Sequence, residues 1–119
     1  MKPGSRILVV DDDDVNRDLL RDVLESQGFN VREAENGQDA VAAHEEYKPH
    51  LAIVDLDMPK MNGIEFTQHV KKESPRFPVI MITGYVKFYS PEDIFAAGVD
   101  AFLQKPLDIN KLLELVGQM

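Results

Sequence analysis

Short continuous apolar runs alternate along this chain with longer stretches whose apolar residues recur every three or four positions. The runs RILVV (6–10), HLAIVDL (50–56) and PVIMIT (78–83) lack an alternating polar face. They predict strands covered on both sides, the mark of a parallel sheet interior. FNVREA (29–34) alternates with period two and predicts a half-buried strand near a sheet edge. VDAFLQ (99–104) reads as the last strand.

The stretches between them are helical. In VNRDLLRDVLESQG, Val15, Leu19, Leu20, Val23 and Leu24 share one face, and Gly28 is placed as a stop. GQDAVAAHEEYK (37–48) ends before Pro49, and IEFTQHVKKES ends before Pro75. SPEDIFAAG opens on a Ser-Pro start with Glu92 and Asp93 in its first turn, and Gly98 stops it. DINKLLELVGQ has Asp108 as N-cap and Leu112, Leu113 and Val116 facing inward.

Five strands in strict alternation with five helices predict an α/β domain, a doubly wound parallel sheet with helices on both faces. The 119 residues suit one domain, 1–119, with no repeat and no linker. Charge and composition narrow the classes. The net charge of −8 argues against nucleic-acid binding. The basic cluster in VKKESPR reads as a solvated helix end. No run reaches the roughly 18 apolar residues of a membrane span. The N-terminus shows no signal-peptide pattern, so a cytoplasmic protein is expected. Without cysteine there is no thiolate chemistry. His44, His50 and His69 show no HxxxH spacing and read as structural or surface residues.

In an open α/β sheet, ligands bind beyond the carboxyl ends of the strands. Strand one ends in Asp11 and Asp12, strand three in Asp55 and Asp57, strand four in Thr83 and Gly84, and strand five is followed by Lys105 and Pro106. Strand two offers only Glu35, Asn36 and Gly37. Any one of these is an ordinary cap or turn residue; together they form a coherent set. Clustered carboxylates repel and call for a cation, and Mg²⁺ suits one or two carboxylates with water and phosphate oxygens. A lysine, a hydroxyl and a nucleophilic carboxylate complete a phosphoryl-transfer kit. Within DDDD (11–14), Asp14 reads as the helix N-cap, while Asp13 is either a first-turn dipole partner or an outer neighbour of the cation.

The motifs ILVVDDD, AIVDLDMPKMNG, VIMITG and AFLQKP, in that order, resemble the receiver domain of two-component response regulators, the chemotaxis regulators among them. The resemblance spans residues 5–118. It implies a flavodoxin-like sheet of order 2-1-3-4-5. It implies Asp55 as phosphoacceptor, Asp11 and Asp12 as the acidic pair holding Mg²⁺ (Mn²⁺ can substitute), and Asp57 lending its backbone carbonyl to the metal. Thr83 would contact the phosphoryl group, Lys105 would pair with it, the bond before Pro106 would be cis, and Phe102 would occupy the aromatic switch position. The partners implied are a histidine kinase or histidine phosphotransfer protein, and an output protein or attached effector domain reached through helix four, strand five and helix five.

Phe102 lacks the hydroxyl of the more frequent tyrosine, Asp57 adds a carboxylate at the mouth, and Tyr85 stands at another position that tunes hydrolysis in the family. The aromatic YVKFYS (85–90) is either core packing or a partner-binding patch. Two rival readings are a phosphorylation-independent pseudo-receiver and a haloacid-dehalogenase-like phosphatase using Asp55 and Asp57. The latter family carries its DxD motif on the first strand, not the third.

Overall fold

The computed structural model describes residues 1–58, 60–84 and 89–119. The elements alternate as β1 (Arg6–Val10), α1 (Asp14–Ser26), β2 (Asn30–Ala34), α2 (Gly37–Tyr47), β3 (Leu51–Asp55), α3 (Gly63–Glu73), β4 (Val79–Thr83), α4 (Pro91–Ala96), β5 (Ala101–Gln104) and α5 (Ile109–Gln118). The strands form one parallel sheet of order β2-β1-β3-β4-β5. The fold is the flavodoxin-like one that the sequence predicts, with β2 at an edge.

Alternation along each strand divides the core into two layers. Leu8, Val10, Ala52, Val54, Val79 and Met81 face a layer completed by Ala40, Phe66, Val70 and Ile94 from α2, α3 and α4. Ile7, Val9, Leu51, Ile53, Ile80 and Ile82 face the other, completed by Leu20, Leu24, Leu112 and Val116 from α1 and α5. This two-sided burial is why β1, β3 and β4 read as unbroken apolar runs.

Helix ends follow local chemistry. Gly28 and Gly98 adopt φ of 91° and 106° just past α1 and α4, a region open to glycine without penalty. Ser90 and Asp93 form a capping box with Pro91 in the first turn, and Asp108 caps α5.

The structure corrects three expectations. The N-cap of α1 is Asp13, not Asp14. Asp13 has extended backbone and accepts from the Val15 and Asn16 N–H groups at 2.8 and 3.2 Å, while Asp14 is already helical and pairs with Arg17. The apolar face of α1 is not wholly inward, since Val15 is 75% and Leu19 49% exposed. At about 100° per residue the five apolar positions span about 180°, wider than the stripe that meets the sheet, so only Leu20 and Leu24 are buried. Lys71 is not merely solvated: it pairs with Asp100 at 3.0 Å, whose carboxylate also accepts the Val79 N–H at 2.8 Å.

Candidate functional site

The strand order reverses between β1 and β3, which lie side by side with Val10 opposite Val54. The next residue of each chain, Asp11 and Asp55, therefore falls at the switch point. Asp55 in turn pairs with Ile82 of β4, and Thr83 with Gln104 of β5. The Lys105 N–H continues that ladder to the Thr83 carbonyl at 2.9 Å. Parallel register alone thus delivers Asp11, Asp12, Asp55, Thr83 and Lys105 to one edge.

Asp11 and Asp55 are buried at 2% and 3% exposure, and Thr83 is fully buried, whereas Asp12 is exposed. Asp11, Asp12 and Asp55 each offer a carboxylate oxygen within 4.8 Å of the others. Lys105 Nζ donates to Asp55 Oδ2 at 3.0 Å, and the Asp57 N–H donates to Asp55 Oδ1 at 3.1 Å. Asp11 Oδ1 accepts the Asp13 N–H at 2.9 Å. The Asp57 side chain turns toward β4, where Thr83 Oγ1 reaches its Oδ2 at 3.5 Å, the outer limit of a hydrogen bond. The Lys105–Pro106 peptide is cis.

The charges strain one another. Burial pushes the Asp11 carboxyl up to about 6, the Asp55 and Asp12 charges add to the rise, and the Asp13 N–H and Lys105 oppose it. Burial likewise raises Asp57, with Asp55 adding, against Lys105, the Gly84 N–H and Thr83. Burial works against the charge of Lys105, but the hydrogen bond to Asp55 and the charges of Asp55, Asp11 and Asp57 together hold its ammonium above the ordinary value. A buried carboxylate cluster of hard oxygen donors, only partly neutralised by one ammonium, fits a small divalent cation.

Phe102 of β5 is half-buried against the α2–α4 layer and meets Phe95 of α4 edge to face, with centroids 5.6 Å apart. Of the aromatic stretch 85–90, Tyr85 and Phe88 lie outside the described residues, while Tyr89 packs on the core and Ser90 caps α4.

Two supporting residues escape a reading by residue type. Arg17, one turn into α1, reaches back to donate to the Asp11 carbonyl at 2.6 Å. Gly63 begins α3 against the strand end, where a Cβ would stand 2.7 Å from the Asp55 carbonyl oxygen and 2.7 Å from Met81 Sδ. The only prior signal of either was an arginine one helical turn from an aspartate, and a glycine after Asn62 at a helix start.

Comparison with known proteins agrees with this fold. The family model for the response regulator receiver domain matches residues 7–117. A chemotaxis protein CheY of Thermotoga maritima is 31% identical over 117 residues, covering 98% of each chain. A cyclic di-GMP phosphodiesterase of the same organism is 37% identical over 106 residues, which are 89% of this chain and 28% of that protein. The chain thus spans nearly all of one relative and less than a third of the other. The crystal structure of a CheY-like response regulator receiver domain protein from Methanospirillum hungatei superposes with a TM-score of 0.91 at 33% identity, over 97% of this chain and 92% of that one.

Proposed function

Because this chain belongs to the response regulator receiver domain family, we propose that residues 1–119 act as one phosphorylation-dependent switch of a two-component system, with Asp55 as the phosphoacceptor. The observation that carries this reading is the convergence of Asp11, Asp12 and Asp55 with Lys105 hydrogen-bonded to Asp55 at the sheet's switch point.

An Asp55 carboxylate oxygen attacks the phosphorus of a phosphohistidine on a kinase or phosphotransfer protein. The P–O bond forms as the P–N bond breaks, and the imidazole nitrogen keeps the electron pair and takes up a proton. Lys105 moves from the carboxylate to the transferred oxygens, where it offsets developing charge. Asp11, Asp12 and the Asp57 carbonyl would hold Mg²⁺ or Mn²⁺, which supplies charge neutralisation for the carboxylates and phosphoryl oxygens when bound. Thr83 donates to the acyl phosphate, which adds about two negative charges. Phe102 then repacks, altering the α4-β5-α5 surface read by an output protein or attached domain. Water finally hydrolyses the acyl phosphate, releasing inorganic phosphate and restoring the Asp55 carboxylate, so the chain assists only its own phosphorylation and dephosphorylation. A cytoplasmic setting follows from partners of this kind, and no helix among the described residues is long and apolar enough to cross a membrane.

The test is acetyl phosphate with Mg²⁺ on the intact chain. Stoichiometric label that Asp55→Asn abolishes and chelator prevents is expected. Label persisting in Asp55→Asn overturns the acceptor assignment. No label on folded protein favours a pseudo-receiver, and multiple turnover of a phosphate ester favours a phosphatase.

A further inference from the structure

A second cluster lies at the opposite end of the sheet. The helices return antiparallel to the strands, so the last turns of α2 and α3 stand beside the first residues of the strands, away from Asp55. The two helices pack against each other. There Glu45 of α2 meets His69 and Glu73 of α3, each offering a ligand atom within 4.8 Å of the others. His69 and Glu73 are four apart, on one helical face.

We propose that Glu45, His69 and Glu73 form a binding site for a divalent transition-metal ion of the zinc class, tying the last turn of α2 to that of α3. The donor set decides the class. One imidazole nitrogen with two carboxylates suits Zn²⁺ and its neighbours in the transition series, whereas Mg²⁺ and Ca²⁺ favour oxygen alone. Three protein ligands leave a fourth, tetrahedral position for water. Zinc–ligand bonds of about 2.0–2.2 Å put tetrahedral donors about 3.3–3.6 Å apart. The present separations close to that through rotamer changes of long exposed side chains.

Electrostatics favours a cation at this point. Two carboxylates stand together, and among the described residues neither forms an ion pair within 4.0 Å. Both sit at helix C-termini, where the macrodipole is negative. A cavity of about 370 Å³ adjoins the cluster, lined by His44, Glu45, Lys48, Glu73 and Phe77. His44 stacks edge-on to Phe77 with centroids 4.7 Å apart, which fixes that wall of the cavity. Lys48 is the cationic group in the lining and makes no ion pair with either glutamate.

The test is calorimetric titration of the intact chain with Zn²⁺ in excess Mg²⁺, which competes at the Asp11–Asp12–Asp55 cluster. One equivalent bound with a micromolar Kd is expected, at least about tenfold weaker in His69→Gln and in Glu73→Gln. Zn²⁺ also raises the thermal midpoint of the parent and not of His69→Gln. Asp12→Asn keeps the zinc affinity. All three ligands are exposed, so the variants fold, and unchanged acetyl phosphate labelling of His69→Gln checks this independently. Zinc affinity unaltered by His69→Gln, uptake that vanishes in Asp12→Asn, or no uptake in the micromolar range each overturns the proposal.

Discussion

The Lys105 ammonium donates to Asp55 Oδ2 at 3.0 Å while Asp55 Oδ1 accepts the Asp57 N–H at 3.1 Å, so both oxygens of this buried carboxylate are engaged. Asp11 and Asp12 crowd the same point, and among the described residues no other ammonium or guanidinium group reaches Asp55 within 4.0 Å. Removing the ammonium leaves a buried charge with a single backbone partner. Lys105→Met is therefore expected to lower stability at neutral pH by about 1–3 kcal/mol in the presence of chelator. Millimolar Mg²⁺ should recover part of the loss. Urea unfolding with and without Mg²⁺ measures both, and an unchanged midpoint would mean the ammonium does not compensate the cluster.

Asp11 carries the opposite sign. Its carboxyl titrates near 4 when unfolded and at about 6 in the fold, chiefly because burial disfavours its charge. Between those values the folded state holds more protons than the unfolded one, so stability falls as pH rises through the window and stays lowered above it. Asp11→Asn keeps an acceptor for the Asp13 N–H and removes the penalty. The variant should gain about 1–3 kcal/mol at pH 7 in chelator and close to nothing at pH 4. Denaturation at the two pH values gives the difference; a gain independent of pH would rule out titration of Asp11 as its source.

Gly63 ties α3 to the strand that carries Asp55. Its N–H bonds to the Leu56 carbonyl at 3.2 Å, and a Cβ would press on the Asp55 carbonyl and on Met81. Both neighbours belong to the packed centre of the sheet, so Gly63→Ala should destabilise by about 1–3 kcal/mol. It should also slow labelling of Asp55 by acetyl phosphate more than a surface substitution such as Gln68→Ala does. Loss of stability with full labelling speed would show that the glycine supports α3 alone.

The fold was legible because β1, β3 and β4 are buried on both faces and so carry no polar punctuation. Asp55, Asp11 and Lys105 were legible because topology forces strand ends together whatever the loops do. What escaped depends on side-chain reach and on shared residue type. Arg17 finds the Asp11 carbonyl only because the turn at Asp13 aims α1 back over the strand end. Val15 and Leu19 belong to the apolar stripe by periodicity yet lie beyond the width of sheet that α1 covers. Glu65 and Glu73 both stand four residues from His69 in sequence, so spacing alone does not choose between them, and Glu45 arrives only through the packing of α2 on α3.

The run DDDD (11–14) poses the same difficulty in its sharpest form, since four identical side chains cannot be ordered by type. Asp11 folds its carboxylate back onto the Asp13 N–H, and that turn leaves Asp13 extended with its own carboxylate over the free N–H groups of Val15 and Asn16. Asp14 points outward, its side chain 81% exposed, and among the described residues its ion pair is with Arg17 alone, which is held in any case by the Asp11 carbonyl. Asp13→Ala should therefore cost about 1 kcal/mol through loss of the cap. Asp14→Ala should change stability by less than about 0.5 kcal/mol, as for an exposed ion pair. Urea unfolding of the two variants in chelator compares them directly, and a larger loss for Asp14→Ala would return the cap to Asp14.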